Sequence, residues 1–161
     1  MTNNDSKRVF LDIHGGDLAP DSNLEGALLA LDHTKSKIVL VGDEPLIKER
    51  LKVLGSDESI INQFGYHDCK EIIEMAESPS RAIRKKQNSS LVQICKEASN
   101  DKDNSAALSA GNSGAMMAAS LLAFKRIQGV DRPAIAVLYP TVSKDVLLLD
   151  MGANVDIKSE H

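Results

Sequence analysis

Four short apolar runs in this chain each close on glycine paired with aspartate or asparagine, and that punctuation limits the folds open to it. The runs are Val9–Ile13, Ile38–Val41, Ala106–Leu108 and Val146–Leu149. The loops that close them are Asp12–Asp17, Gly42-Asp43, Ser109–Gly114 and Asp150–Asn154. Strands apolar throughout belong in a sheet covered on both faces. The segments between them carry helical spacing. One runs from a cap at Asp21 or Ser22 to about His33, with Leu24, Ala27, Leu28 and Leu31 on one side. A second spans Pro45 to Leu54 and stops at Gly55. Ser78-Pro79 starts a third, which breaks near Asn88–Ser90 and resumes from Leu91 to Ala98. Ala115 to Phe124 is a fourth, almost without polar residues.

Two segments read less directly. Ser59–Phe64 is expected as a further strand, and Ile72–Met75 as a strand end or one helical turn. Ala134–Leu138 and Val146–Leu149 are close enough to form a hairpin-like pair. The pattern predicts one α/β domain over residues 1–161, a three-layer α/β/α sandwich with a largely parallel sheet.

Composition sets the outer bounds. With 161 residues, 42% of them hydrophobic, the chain can bury a core, and with 3% aromatics and no Trp that core is aliphatic. A net charge of −4 argues against a nucleic-acid partner. Cys69 and Cys95 have no metal-like spacing, so no metal is expected and a reduced cytoplasmic setting is the simplest reading. The polar start Met1–Ser6 lacks a secretory signal, and no apolar run approaches the roughly 18 residues of a membrane span.

The stretch Leu108–Ala119 carries the strongest functional hint. A strand passes through Gly111-Asn112-Ser113-Gly114 into a helix, with Asn112 or Ser113 as cap. The first-turn N–H groups of such a helix favour a phosphate or a carboxylate. If the strands are parallel, the four Gly/Asp/Asn loops share one sheet edge, where ligands of such folds bind. The same residue types also serve ordinary turn geometry. There is no GxGxxG after the first strand and no GxxxxGK[ST]. The residues alone therefore give an anion-friendly α/β domain and no reaction.

A series of longer motifs adds to this. DIHGGDLAP (Asp12–Pro20), EGALLAL (Glu25–Leu31), VGDE (Val41–Glu44), IIEMAESPSRAIRKKQNSS (Ile72–Ser90), SAGNSGAMMAA (Ser109–Ala119), GVDRPA (Gly129–Ala134) and LLLDMGANVD (Leu147–Asp156) occur in this order. Together they resemble the N-terminal half of the phosphate acyltransferase (PlsX) family of bacterial phospholipid synthesis, from about Val9 to His161. The family usually has Ala-Met where Ile13-His14 stand and Thr where Ser113 stands.

The resemblance implies transfer of a fatty acyl group from acyl carrier protein to inorganic phosphate. The acyl phosphate product would feed a membrane glycerol-3-phosphate acyltransferase. It also implies a fold of the isocitrate and isopropylmalate dehydrogenase type, a homodimer, action at the cytoplasmic membrane surface, and no cofactor or metal. Phosphate or substrate contacts would come from Ser109, Gly111, Asn112, Ser113 and Gly114 on one wall. Asp12, Gly15, Gly16 and Asp17 would form the opposite wall, and Asp150, Gly152 and Asn154 the third side. No general base is assigned, and His14 is expected to pack its loop. Arg81, Arg84, Lys85 and Lys86 would meet the acidic carrier protein, against the alternative of a solvated helix face. On this resemblance the chain is expected to be half of a longer protein and inactive alone. A dehydrogenase-type domain of the same fold and a non-catalytic module that binds carrier protein are the competing readings.

Overall fold

A computed structural model describes residues 7–130 and 133–150. They fall into two compact units, one ending at Phe124 and the other starting at Lys125.

The first unit is built on β1 (Arg8–Asp12), β2 (Lys37–Gly42), β3 (Gly65–Asp68) and β4 (Ser105–Leu108), in the order β3-β2-β1-β4. Every pairing in this sheet is parallel. The chain steps outward from β1 to β3, then crosses back to place β4 on the far side of β1. Helices α1 (Asp21–Leu31), α2 (Glu44–Val53) and α3 (Glu58–Ile61) make the outward connections. Helices α4 (Pro79–Lys85) and α5 (Ser90–Ser99) make the return, and α6 (Ser113–Phe124) follows β4.

Strand alternation sorts the core into two layers. Phe10, Val39 and Val41 pack with Ile83, Leu91, Ile94, Ala115 and Ala119 on the α4–α6 face. Ile13, Ile38 and Leu40 pack with Leu24, Ile47, Leu51 and Ile61 on the α1–α3 face. Burying one such aliphatic side chain contributes about 1.5–3 kcal/mol, so the two layers hold the sheet between them. Apolar strands flanked by helices on both faces are what the loop punctuation predicts.

Local chemistry sets the helix ends. Asp43 caps α2 through a bond from the Leu46 N–H at 3.3 Å, and Gly55 ends that region in the left-handed conformation, φ 88°. Helix α1 is entered differently from expectation. Pro20 occupies the cap position without a side-chain bond, and Asp21 lies in the first turn.

Two further expectations are corrected. Ser59–Phe64 is not a strand. Asp57 accepts hydrogen bonds from Ile60 N–H at 3.0 Å and Ser59 Oγ at 2.6 Å, which starts the turn of α3 instead. The strand follows it, at Gly65–Asp68. Ile72–Met75 is neither a strand end nor a helical turn, because its carbonyls are taken by side chains. Lys86 Nζ donates to Ile72 O at 2.7 Å, and Asn112 Nδ2 to Met75 O at 3.1 Å.

The second unit contains β5 (Ala136–Tyr139) and β6 (Val146–Leu149), paired antiparallel as the predicted hairpin. Asp150 extends the pairing. Its N–H donates to Ile135 O at 2.7 Å and its Oδ1 accepts from Ile135 N–H at 2.8 Å. Among the described residues no helix is long and apolar enough to cross a membrane.

Candidate functional site

Strand order decides where a ligand can sit. The winding reverses between β1 and β4, which opens a crevice beyond their carboxyl ends. The loops after β1 and β4 meet there. Asp12, at the end of β1, is 1% exposed, and both of its carboxylate oxygens are bonded. Oδ1 accepts from His14 N–H at 3.0 Å, and Oδ2 accepts from Ser109 Oγ at 2.7 Å. Ser109 Oγ in turn accepts from Gly111 N–H at 3.0 Å. The carboxylate thus fixes its own loop and, through one hydroxyl, the loop that leads into α6.

The glycines of this knot are there for closeness. A Cβ on Gly15 would lie 2.7 Å from Asp12 Oδ2, from Gly111 N and from Ser109 Oγ. Gly16 adopts φ 103° and runs against Ala110, so its position is both close and left-handed. Asn23, on α1, completes the β1 loop. Its Nδ2 reaches Gly15 O at 2.7 Å, Ile13 O at 3.1 Å and Asp12 O at 3.3 Å.

Asn112 rather than Ser113 caps α6. Its Oδ1 accepts from Ala115 N–H at 3.0 Å, while its Nδ2 donates to Glu77 O at 3.0 Å and Met75 O at 3.1 Å. Both ends of this amide are therefore occupied in holding the 74–77 segment against the helix start. That leaves the N–H groups of Ser113 and Gly114, which no helix can bond internally, and the exposed Ser113 hydroxyl. Gly114 also admits close packing, since a Cβ there would lie 2.7 Å from Pro79 Cγ.

The β2 loop joins the same edge through His14. Its Nε2 accepts from Asp43 N–H at 3.0 Å, and a Cβ on Gly42 would lie 2.8 Å from that nitrogen. His14 packs its loop, as expected. Asp17 is exposed at the rim.

Three of the four expected loops, those after β1, β2 and β4, therefore lie at one sheet edge. Asp150 belongs to the second unit, with φ 54° and its carboxylate on Ile135. Gly152 and Asn154 lie outside the described residues.

Of the basic run, Arg81, Arg84 and Lys85 are exposed at helical spacing on α4. Lys86 turns inward, to Ile72 O and the Glu77 carboxylate. That ion pair holds the Glu77 carboxyl below its ordinary range. Burial pushes the Cys69 thiol up to about 12 and raises that of Cys95, so both sulfurs are packing groups. Among the described residues no group of three or more His, Cys, Asp or Glu could hold a metal ion.

Asn23 was not singled out by the sequence reading. An amide on the strip of α1 that also carries Ala27 and Ala30 is the signal that could have found it.

The sequence profile of a family described as "Fatty acid synthesis protein" matches residues 7–161. The phosphate acyltransferase of Trichlorobacter lovleyi is 44% identical over 157 residues, covering 96% of this chain and 44% of that protein. That of Bacillus subtilis is 40% identical over 156 residues, covering 96% and 45%. That of Fusobacterium nucleatum is 42% identical over 156 residues, covering 95% and 46%. The chain spans about half the length of the relatives it matches.

Proposed function

Because this chain belongs to the fatty acid synthesis protein family, we propose that it contributes the phosphate-binding half of an acyl-[acyl-carrier-protein]:phosphate acyltransferase. The observation that carries this reading is the knot of Asp12, Gly15, Ser109 and Gly111 at the start of α6. It holds the Ser113 and Gly114 N–H groups towards the crevice, where the helix end favours an anion.

Phosphate held there is the nucleophile. One of its oxygens bonds to the thioester carbonyl carbon of acyl carrier protein, and the tetrahedral oxyanion collapses with cleavage of the C–S bond. Acyl phosphate leaves, and the carrier thiolate takes up a proton from solvent. No protein nucleophile is needed, so the rate gain comes from positioning and oxyanion stabilisation. In this scheme Asp12 is a positioning residue, since both of its oxygens are engaged within the loops. Arg81, Arg84 and Lys85 supply the docking face for the acidic carrier.

The fold is assigned to the isocitrate and isopropylmalate dehydrogenase type. In this reading the acyltransferase acts as a homodimer at the cytoplasmic membrane surface, ahead of a glycerol-3-phosphate acyltransferase.

The test is a hybrid in which residues 1–161 replace the matching part of the Bacillus subtilis relative. It is assayed by phosphorus NMR with acyl carrier protein thioester and phosphate. An acyl-phosphate signal that falls at least tenfold in the Ser109→Ala hybrid is expected. An active hybrid indifferent to that change would refute the site.

A further inference from the structure

The sheet is covered unevenly on its α1 face. Leu11 pairs with Leu108 and Val9 with Ala106, so all four side chains point to that face, yet Ala106 and Leu108 are exposed. Residues of α1, β1 and β4 line one open groove there. Its volume is about 450 Å³, within the roughly 300–1,000 Å³ of small-molecule sites. Its floor is Val9, Leu11 and Leu108, and its α1 wall is Gly26, Ala27 and Ala30.

Two features point to an occupant. The groove ends on Ser109, Ala110 and Asn23, the residues that build the phosphate crevice, so it is continuous with that site. The wall also contains a glycine inside a helix, at a position where a Cβ would meet nothing within 4 Å. Helix propensity disfavours glycine there, and neither packing nor backbone conformation requires it. What the glycine does is keep the groove wide.

We propose that this groove holds the linear acyl chain of the substrate, running from the phosphate crevice at Ser109 down between α1 and β4, with Gly26 setting its width. The proposal rests on the phosphate acyltransferase reading above, and it adds the residue that limits chain length. Away from Ser22, Asn23, Thr34 and Ser109 the lining is aliphatic, so the middle of the groove measures length rather than chemical detail.

The test uses the labelled chain and n-alkyl phosphates of increasing length, kept below their micelle concentrations, with amide shifts as the readout. Affinity should rise about fourfold per added methylene until the groove is full, the factor equivalent to burying one such group. Shifts should spread from Gly111–Gly114 to Ala27, Ala30 and Leu108 as the alkyl chain lengthens. Gly26→Leu should end the rise at a shorter chain, and Gly26→Ala, a milder change that folds readily, should do so to a smaller degree. Both should leave the shifts caused by inorganic phosphate unchanged. Equal length dependence in all three proteins would overturn the assignment, as would alkyl-dependent shifts confined to other surfaces. If inorganic phosphate itself moves no amide from Gly111 to Gly114 while the groove shifts respond to Gly26, the phosphate reading is what fails.

Discussion

Removing the Ser109 hydroxyl should unlock the loops after β1 and β4 together, because that oxygen donates to Asp12 in the first and accepts from Gly111 in the second. In Ser109→Ala, the buried Oδ2 of Asp12 loses its donor at 2.7 Å and the Gly111 N–H loses its acceptor at 3.0 Å. A hydrogen bond to a charged group contributes about 1.5–3 kcal/mol, and one between neutral groups about 0.5–1.5 kcal/mol. Gly111 is only partly buried, so water recovers some of the second loss. The sum is about 2–4 kcal/mol. With a urea slope of about 2 kcal/mol per molar, the midpoint should fall by roughly 1–2 M. Unfolding should be followed through the exchange of β1 and β4 amides, so that the second unit does not contribute. A cycle with Asp12→Ala isolates the pair, since removing both partners leaves neither stranded. The coupling should reach about 1.5–3 kcal/mol. Additivity within about 0.5 kcal/mol would show that the Asp12–Ser109 bond does not organise the site.

Other consequences can be checked separately. In Asn112→Ala the cap of α6 and the tether of residues 74–77 are lost together, at a cost of about 1–3 kcal/mol, and protease cleavage should appear in that segment. Asn112→Asp keeps the cap oxygen but no donor, so cleavage should appear there with a smaller loss of stability. In His14→Ala the Asp43 N–H loses its acceptor, and its hydrogen exchange should accelerate about tenfold, equivalent to roughly 1.4 kcal/mol. Arg50 holds the Asp21 carboxyl below its ordinary value, so this ion pair stabilises above the unfolded carboxylate range and is lost as pH falls through the lowered folded value. In Arg50→Gln the Asp21 titration midpoint should therefore rise towards its ordinary value by NMR, and the stability lost between neutral and acid pH should become smaller.

The chain's own order of residues determined its layers. Three of the four apolar runs closed by Gly, Asp and Asn are strands of one parallel sheet, with the helical spacing between them supplying the covers, whereas Val146–Leu149 pairs antiparallel in the second unit with most of its side chains exposed. The start of α4 at Ser78-Pro79, its break before Ser90 and the stop at Gly55 were legible because capping chemistry and backbone preference act within a few residues. Where local signals competed, the reading failed. The apolar run at Ser59–Phe64 favours a strand, but the Asp57 carboxylate stabilises a helical turn first.

What only the tertiary structure decided is which loops meet. Asp12 and Ser109 lie 97 residues apart and bond because the chain returns to place β4 beside β1. No spacing in the sequence encodes that return. The same holds for Asn112, which reads locally as a possible anion ligand but is drawn to carbonyls some 35 residues away. One amide there serves two purposes at once, its Oδ1 capping α6 and its Nδ2 bonding those carbonyls. Gly26 is the opposite case. Its sequence neighbours predict an ordinary helix, and only the position of β4 shows the open groove that the missing side chain leaves beside it.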